Sequence, residues 1–302
     1  MKSDLLENFW NRILKGKIKT EEESNWISET GYLYKLGISM EETLQYLYQE
    51  KPTLIVFKEW IKAKSINVTN TIDVENTLSE KDLAFWNTNG YIVIKNAISL
   101  EDCLATQKAI LEFLEKDMND SNTWYTMHEK QRGLMVNFFN HPTLEKNRAS
   151  VKIQKAYEQL YGTNKIYKTI DKVSFNPPIT KRYNFLGSNL HWDVSLKQPI
   201  PFRLQGLLYL SDCDENDGAF HCVPNFHHQI ANWMDSIPLN QNPRELALKT
   251  LTPKPVIGKS GDFIIWHQAL PHCATPNYGK TPRFVQYLTY FPEEYTESTE
   301  WI

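Results

Sequence analysis

The chain of 302 residues has no apolar run approaching the ~18 side chains that a bilayer-crossing helix needs. A membrane-spanning protein is therefore not expected. It also lacks charge of one sign: 33 basic against 36 acidic residues leave a net −3, without the basic excess that nucleic acid or an anionic membrane surface would attract. Cysteine is scarce. Cys103, Cys213, Cys222 and Cys273 form no CxxC pair, which excludes a disulfide scaffold or zinc ribbon and predicts reduced thiols in a cytoplasmic protein. The start, Met1-Lys2-Ser3-Asp4, lacks the apolar stretch of a secretory signal. No internal repeat or low-complexity tract is evident. The first 65 residues contain neither His nor Cys, so no imidazole or thiolate ligand can come from them.

Aromatic residues, by contrast, are plentiful: 13% of the chain, with nine Trp and fifteen Tyr, enough for a thick β core. The length suits one large domain with an appendage. Residues 1–65 read as helical. Leu6, Phe9, Trp10 and Ile13 recur at helical spacing, as do Leu44, Leu47 and Tyr48, and then Leu54, Phe57 and Ile61. Ser39-Met40-Glu41-Glu42 has the form of a capping box. Residues 66–77 carry three Asn without helical period and read as a linker. From residue 78 the pattern is helix, strand, helices over 102–116 and 149–161, then mostly strands from Tyr167. Dense β-branched and aromatic residues with recurring turn signals suit a barrel or jelly roll. Arg203, Gln205, Leu207 and Tyr209 alternate with Leu204, Gly206, Leu208 and Leu210. The polar members make the odd face, with Gln205 and Tyr209, the candidate wall of a cosubstrate pocket.

The chemistry is concentrated in His191-Trp192-Asp193, His272 and Arg283. In an extended strand, side chains two apart share a side, so His191 and Asp193 point together. With an imidazole from a distant strand they would form the facial set of two His and one carboxylate that holds non-haem Fe(II) and leaves open positions. His272 is the expected third ligand and His267 its rival. Arg283 offers a rigid fork for a carboxylate. The order of strand, His272, turn Thr275-Pro276-Asn277 and strand with Arg283 predicts an antiparallel hairpin bringing both residues to one cavity. His221, His227 and His228 read as structural. On a strand, the adjacent His227 and His228 would diverge rather than converge. Lys181, Arg182 and Arg203 read mainly as surface charge.

These motifs, in this order, resemble the phytanoyl-CoA dioxygenase family of Fe(II)/2-oxoglutarate-dependent oxygenases over roughly residues 78–292. Leu78–Asp82 and Asn89–Ile94 resemble its leading helix and first strand. Phe175-Asn176-Pro177-Pro178 precedes the HxD, and Asp217–Asn225 resembles its Gly-Ala…Pro-Gly-Ser-His hairpin. Two departures, Asn225 for Gly and Phe226 for Ser, bear on the turn. The resemblance implies an α+β protein, mainly β, with a double-stranded β-helix (jelly-roll, cupin-like) core over 78–302 and an N-terminal helical extension. It implies Fe(II) on His191, Asp193 and His272, with 2-oxoglutarate reaching Arg283 and O2 as second cosubstrate. It implies oxidation of a small molecule, an amino acid or natural-product intermediate, with release of succinate and CO2. Related halogenases carry a small residue at the position of Asp193, so the carboxylate there favours hydroxylation. The competing reading is a catalytically silent binding protein on the same fold.

Overall fold

Residues 2–16, 26–65, 76–181, 183–295 and 300–302 are described in a computed structural model. The predicted linker falls largely on 66–75, outside the described residues, as does Arg182.

Four helices open the chain: α1 (Lys2–Lys15), α2 (Trp26–Lys35), α3 (Met40–Glu50) and α4 (Leu54–Lys64). They bury their own core of Leu6, Phe9, Leu33, Ile38, Leu47, Phe57 and Ile61. This is the packing that the apolar stripes demand. The Arg12–Glu29 pair at 2.9 Å ties α1 to α2. Half of the expected capping box forms: Ser39 accepts from the Glu42 N–H, but the Glu42 side chain turns to Lys64 and Asn140. The unit leans on the barrel. Lys35 pairs with Glu293 at 2.8 Å, Lys172 pairs with Glu41, and Gly31 lies so close to Tyr167 that a Cβ there would come within 2.8 Å of its hydroxyl. A chain starting at residue 76 is therefore expected to keep Fe(II) and 2-oxoglutarate binding while its thermal midpoint drops by at least ~5 °C, as Tyr167 is uncovered and Lys172 loses its partner. A truncated chain that is folded by circular dichroism yet binds neither ligand would show this division of the molecule to be wrong.

Beyond residue 75 come α5 (Glu80–Asn89), α6 (Leu100–Phe113), α7 (Pro142–Arg148) and α8 (Val151–Tyr161). Ser79 and Asp82 close a full capping box on α5. The start of α6 lies two residues earlier than the apolar pattern suggests, because Ser99 accepts from the Asp102 N–H. Near the end of the chain lie α9 (Ile230–Ser236) and α10 (Pro243–Thr250).

The large sheet runs β1 (Tyr91–Ile94), β9 (Phe263–His267), β6 (Leu204–Tyr209), β11 (Arg283–Tyr287), β5 (Val173–Asn176), β3 (Met135–Val136), β2 (Gln131–Arg132). The smaller one runs β10 (His272–Ala274), β7 (Phe220–Cys222), β8 (Lys254–Val256). A third pair joins β12 (Tyr290–Pro292) to β4 (Ile166–Lys168). All described pairings are antiparallel.

Period-two alternation sorts the large sheet's side chains into two cores. Leu204, Leu208, Phe263, Ile265 and Phe284 face outward onto α5, α6 and α8 with Trp86, Ile110 and Tyr157. Leu207, Tyr209, Ile264, Trp266 and Val285 face inward against Phe220, Cys222 and Val256 of the small sheet. The result is a double-stranded β-helix with helices on its outer face, and the odd positions of β6 do point between the sheets. The expected hairpin from His272 to Arg283 is not one. β10 and β11 belong to different sheets, and the intervening turn carries the chain from one wall to the other. Both residues still reach one cavity, because the two walls face each other across it.

Candidate metal centre and active cavity

His191 and His272 pair as a one-residue antiparallel bridge, with N–H···O distances of 3.0 and 2.9 Å in the two directions. The pairing sets their rings 4.6 Å apart. Alternation does the rest. Trp192 turns inward, donates to the Ala269 carbonyl at 2.9 Å and packs on Phe226 and Trp233. That leaves Asp193 on the cavity side. One ligand atom from each of His191, Asp193 and His272 lies within 4.8 Å of the others. The expected convergence of the three is what the structure has.

Each ring has its tautomer set. His191 Nδ1 lies 2.7 Å from the Asn189 carbonyl and His272 Nδ1 3.2 Å from that of Leu270. A carbonyl only accepts, so both Nδ1 atoms carry the proton and both Nε2 atoms keep a lone pair for a metal. The two Nε2 atoms face Asp193, at 3.6 Å from Oδ1 and 3.2 Å from Oδ2. Burial would raise the Asp193 carboxyl, but the neighbouring His272, the hydrogen bond from Gln205 and the field of His191 hold it below its ordinary range. It stays ionised, as a ligand must. Burial and the neighbouring His272 lower His191, keeping it neutral.

Gln205, the expected cosubstrate contact, lines the cavity, and its amide also donates to Asp193 at 2.7 Å. Trp266 Nε1–H, a donor only, reaches Gln205 Oε1 at 3.0 Å and so turns the NH2 group toward the carboxylate. Tyr209 is on the inward face but outside the cavity lining. It is fully buried, donating to the Val256 carbonyl and accepting from the Phe220 N–H, both at 2.9 Å. Its hydroxyl is used up in joining the two sheets. Arg203 stacks on Phe291, and Lys181 is exposed; neither lines the cavity.

The cavity holds about 420 Å³ and is walled by the triad, Gln205, Leu207, Trp266, Arg283 and Tyr287 among others. Arg283 is 2% exposed. It donates to the Gly218 carbonyl and to Ser174 Oγ, while its Nε has no hydrogen-bond partner. An under-satisfied, buried guanidinium in the cavity wall fits an incoming carboxylate. Gly218 has φ +76, and a Cβ there would come 2.7 Å from Asn176 Nδ2, so only glycine lets this carbonyl reach Arg283.

Sequence reasoning missed Asp171, Ser174, Tyr287 and Thr289. Tyr287 was within reach, since it stands four residues past Arg283 on the same strand face. Asp171 and Ser174 gave no local signal. The turn departures resolve simply. Asn225 adopts φ +67, which Asn tolerates better than other non-glycine residues, and Phe226 fills the core beside Trp192.

The expectation that His227 and His228 diverge fails, because they sit on a 3-10 turn rather than a strand. Their rings are 3.9 Å apart, both reach the Asn87 carbonyl, and His227 lies 5.3 Å from His267. Burial, then the neighbouring imidazoles, pushes His227 down to about 4 and His267 down to about 3. His267 Nδ1 accepts from the Ala269 N–H, which a protonated ring could not do. With folded-state values below the ordinary 6.5, the unfolded chain takes up these protons first. Stability is thus full above pH ~6.5 and falls as pH drops toward ~4, by on the order of a few kcal/mol. Denaturant unfolding across that range measures it, and His267→Phe should flatten the slope.

The model of the phytanoyl-CoA dioxygenase family matches residues 86–285, well over half of the chain. The chain belongs to that family. A curated Dictyostelium discoideum protein that carries the phytanoyl-CoA dioxygenase name is 23% identical over 269 residues, covering 72% of this chain and 76% of its own. Among solved structures, the non-haem alpha-ketoglutarate-dependent carbocyclase SnoK of nogalamycin biosynthesis is 19% identical at TM-score 0.52, covering 71% and 84%. AviO1 of Streptomyces viridochromogenes Tue57 is 13% identical at TM-score 0.52, covering 74% and 100%. These two likenesses concern the fold. The family member described here is an Fe(II)- and 2-oxoglutarate-dependent dioxygenase, with O2 as the other cosubstrate. No described helix is long and apolar enough to cross a membrane.

Proposed function

We propose that this dioxygenase hydroxylates an unactivated C–H bond of a small molecule, with His191, Asp193 and His272 as the iron ligands and Arg283 as the seat of the 2-oxoglutarate distal carboxylate. The observation that carries the reading is the meeting of three metal-competent side chains in the cavity that the under-satisfied Arg283 also lines. Iron with 2-oxoglutarate and O2 supplies the oxidant, and the cosubstrate leaves as succinate and CO2.

The chain's own residues bind, orient and exclude water. Asn189 and Leu270 carbonyls fix the two imidazoles. Gln205, steered by Trp266, holds Asp193 as a carboxylate. Arg244 donates to the carbonyls of Trp192 and Val194 on either side of Asp193, at 2.9 and 2.8 Å, bracing the ligand-bearing segment. Phe220 and Trp266 pack on His272 and keep that side of the site dry. The carboxylate at 193 favours hydroxyl transfer over halide transfer, since it fills the position a halide would need. A reducing compartment, the cytoplasm, fits four cysteines that are all free and buried.

The test is succinate release by purified protein with Fe(II) and 2-oxoglutarate. Iron-dependent succinate, abolished by chelation and raised by a substrate that gains one oxygen atom, is expected. Binding of both ligands with no succinate under any condition would mean a silent binding protein instead.

A further inference from the structure

We propose that the cavity contains a cation subsite, in which the Asp171 carboxylate takes the ammonium group of an amine-bearing substrate. This rests on the oxygenase reading above and adds the class of substrate to it.

Asp171 precedes β5 and lines the same cavity as the triad, near Tyr287 and Thr289. Tyr287 ties the two regions together. It follows Arg283 by four residues on the inward face of β11, its backbone N–H donates to the Lys172 carbonyl next to Asp171 at 3.1 Å, and its side chain lines the cavity with Asp171 and the triad. Asp171 and the metal ligands therefore share one chamber.

The carboxylate is poorly satisfied. Oδ1 accepts one backbone N–H, that of Lys172, at 2.7 Å. Among the described residues no side chain donates to it, although three cations are close in sequence or space. Each is engaged elsewhere. Lys172 Nζ turns to Glu41 of α3. Lys168 and Arg148 converge on Glu145, at 2.9 and 2.6 Å. Arg148 meets Asp171 at its backbone carbonyl, not at its side chain. An ionised carboxylate can accept about four hydrogen bonds, and leaving it short in a partly desolvated cleft is costly. Burial raises its pKa despite the nearby Lys172. A cation arriving in the cavity would compensate it.

The remaining walls fit the same substrate. Leu134, Met135, Phe185, Phe220 and Trp266 offer apolar and aromatic surface to a carbon skeleton. Arg132, exposed on β2, also lines the cavity and would meet an anionic end of the same molecule. An anionic head at Asp171 would be repelled.

The experiment uses the full-length Fe(II) enzyme and two matched sets of probes: phenethylamine, 2-phenylethanol and phenylacetate, then pentylamine, pentanol and valerate. Calorimetry gives binding, and succinate release gives stimulation. The amine of each set is expected to bind best in the wild type. Asp171→Asn should reduce that preference by about 10- to 100-fold, the worth of a charge-assisted hydrogen bond. Asp171→Lys should move the preference to the carboxylate. Amines that fail to bind the wild type, or a preference for them that survives Asp171→Asn, would overturn the proposal. Succinate release without any probe is read separately in each protein. Its absence from the wild type counts against the oxygenase reading, while the calorimetric preference still tests the subsite.

Discussion

Replacing His272 by Ala is expected to lower iron-dependent succinate release by more than ~100-fold and to remove most Fe(II) affinity. His272 is 6% exposed, its Nδ1 is fixed by a carbonyl, and its Nε2 faces Asp193 at 3.2 Å. Without it, two of the three ligands remain to hold the ion. His267→Ala is the control. His267 sits at the end of β9 against His227 and Phe202, with its Nδ1 accepting from a backbone N–H, and it does not line the cavity. That variant should bind Fe(II) as the parent does. Fe(II) titration of both variants decides the matter, and loss of iron on changing His267 alone would mean the wrong third ligand.

Arg283→Lys is expected to raise the 2-oxoglutarate requirement about 10- to 100-fold with iron binding retained. The charge survives, but the fork does not. Arg283 spends one nitrogen on the Gly218 carbonyl and one on Ser174 Oγ, and these contacts orient the guanidinium. An ammonium on a flexible stem cannot keep both contacts and still offer a second parallel donor. The measurement is the 2-oxoglutarate KM alongside an independent Fe(II) titration. An unchanged KM would remove Arg283 from the cosubstrate site.

The helical extension, the β-rich core, the inward face of β6 and the His191/Asp193 pair were all legible in the sequence, because each is written in a local period. A stripe at Leu6, Phe9 and Ile13 or an alternation at 191 and 193 needs no partner to be read. The resemblance to the family pattern favoured His272 over His267. Gln205 lines the cavity as its strand face implies, but no local pattern shows that Trp266 orients its amide toward Asp193. Where local reading failed, a distant group had taken the side chain. Tyr209 looked equally suitable until two backbone groups of the small sheet satisfied its hydroxyl. His227 and His228 converge because a tight turn replaced the strand on which they would have parted.

The sequence by itself determined which residues could ligate iron and grip a carboxylate, since donor chemistry belongs to the side chain. It also determined which strand face each residue shares, since alternation is a property of the backbone. Only the tertiary structure decided that β10 and β11 sit on opposite walls of one cavity, and that Asp171 lines that cavity with its neighbouring cations engaged elsewhere. Those outcomes depend on pairings such as Lys172 with Glu41, 131 residues apart, and no local pattern encodes which of several nearby charges a side chain will take.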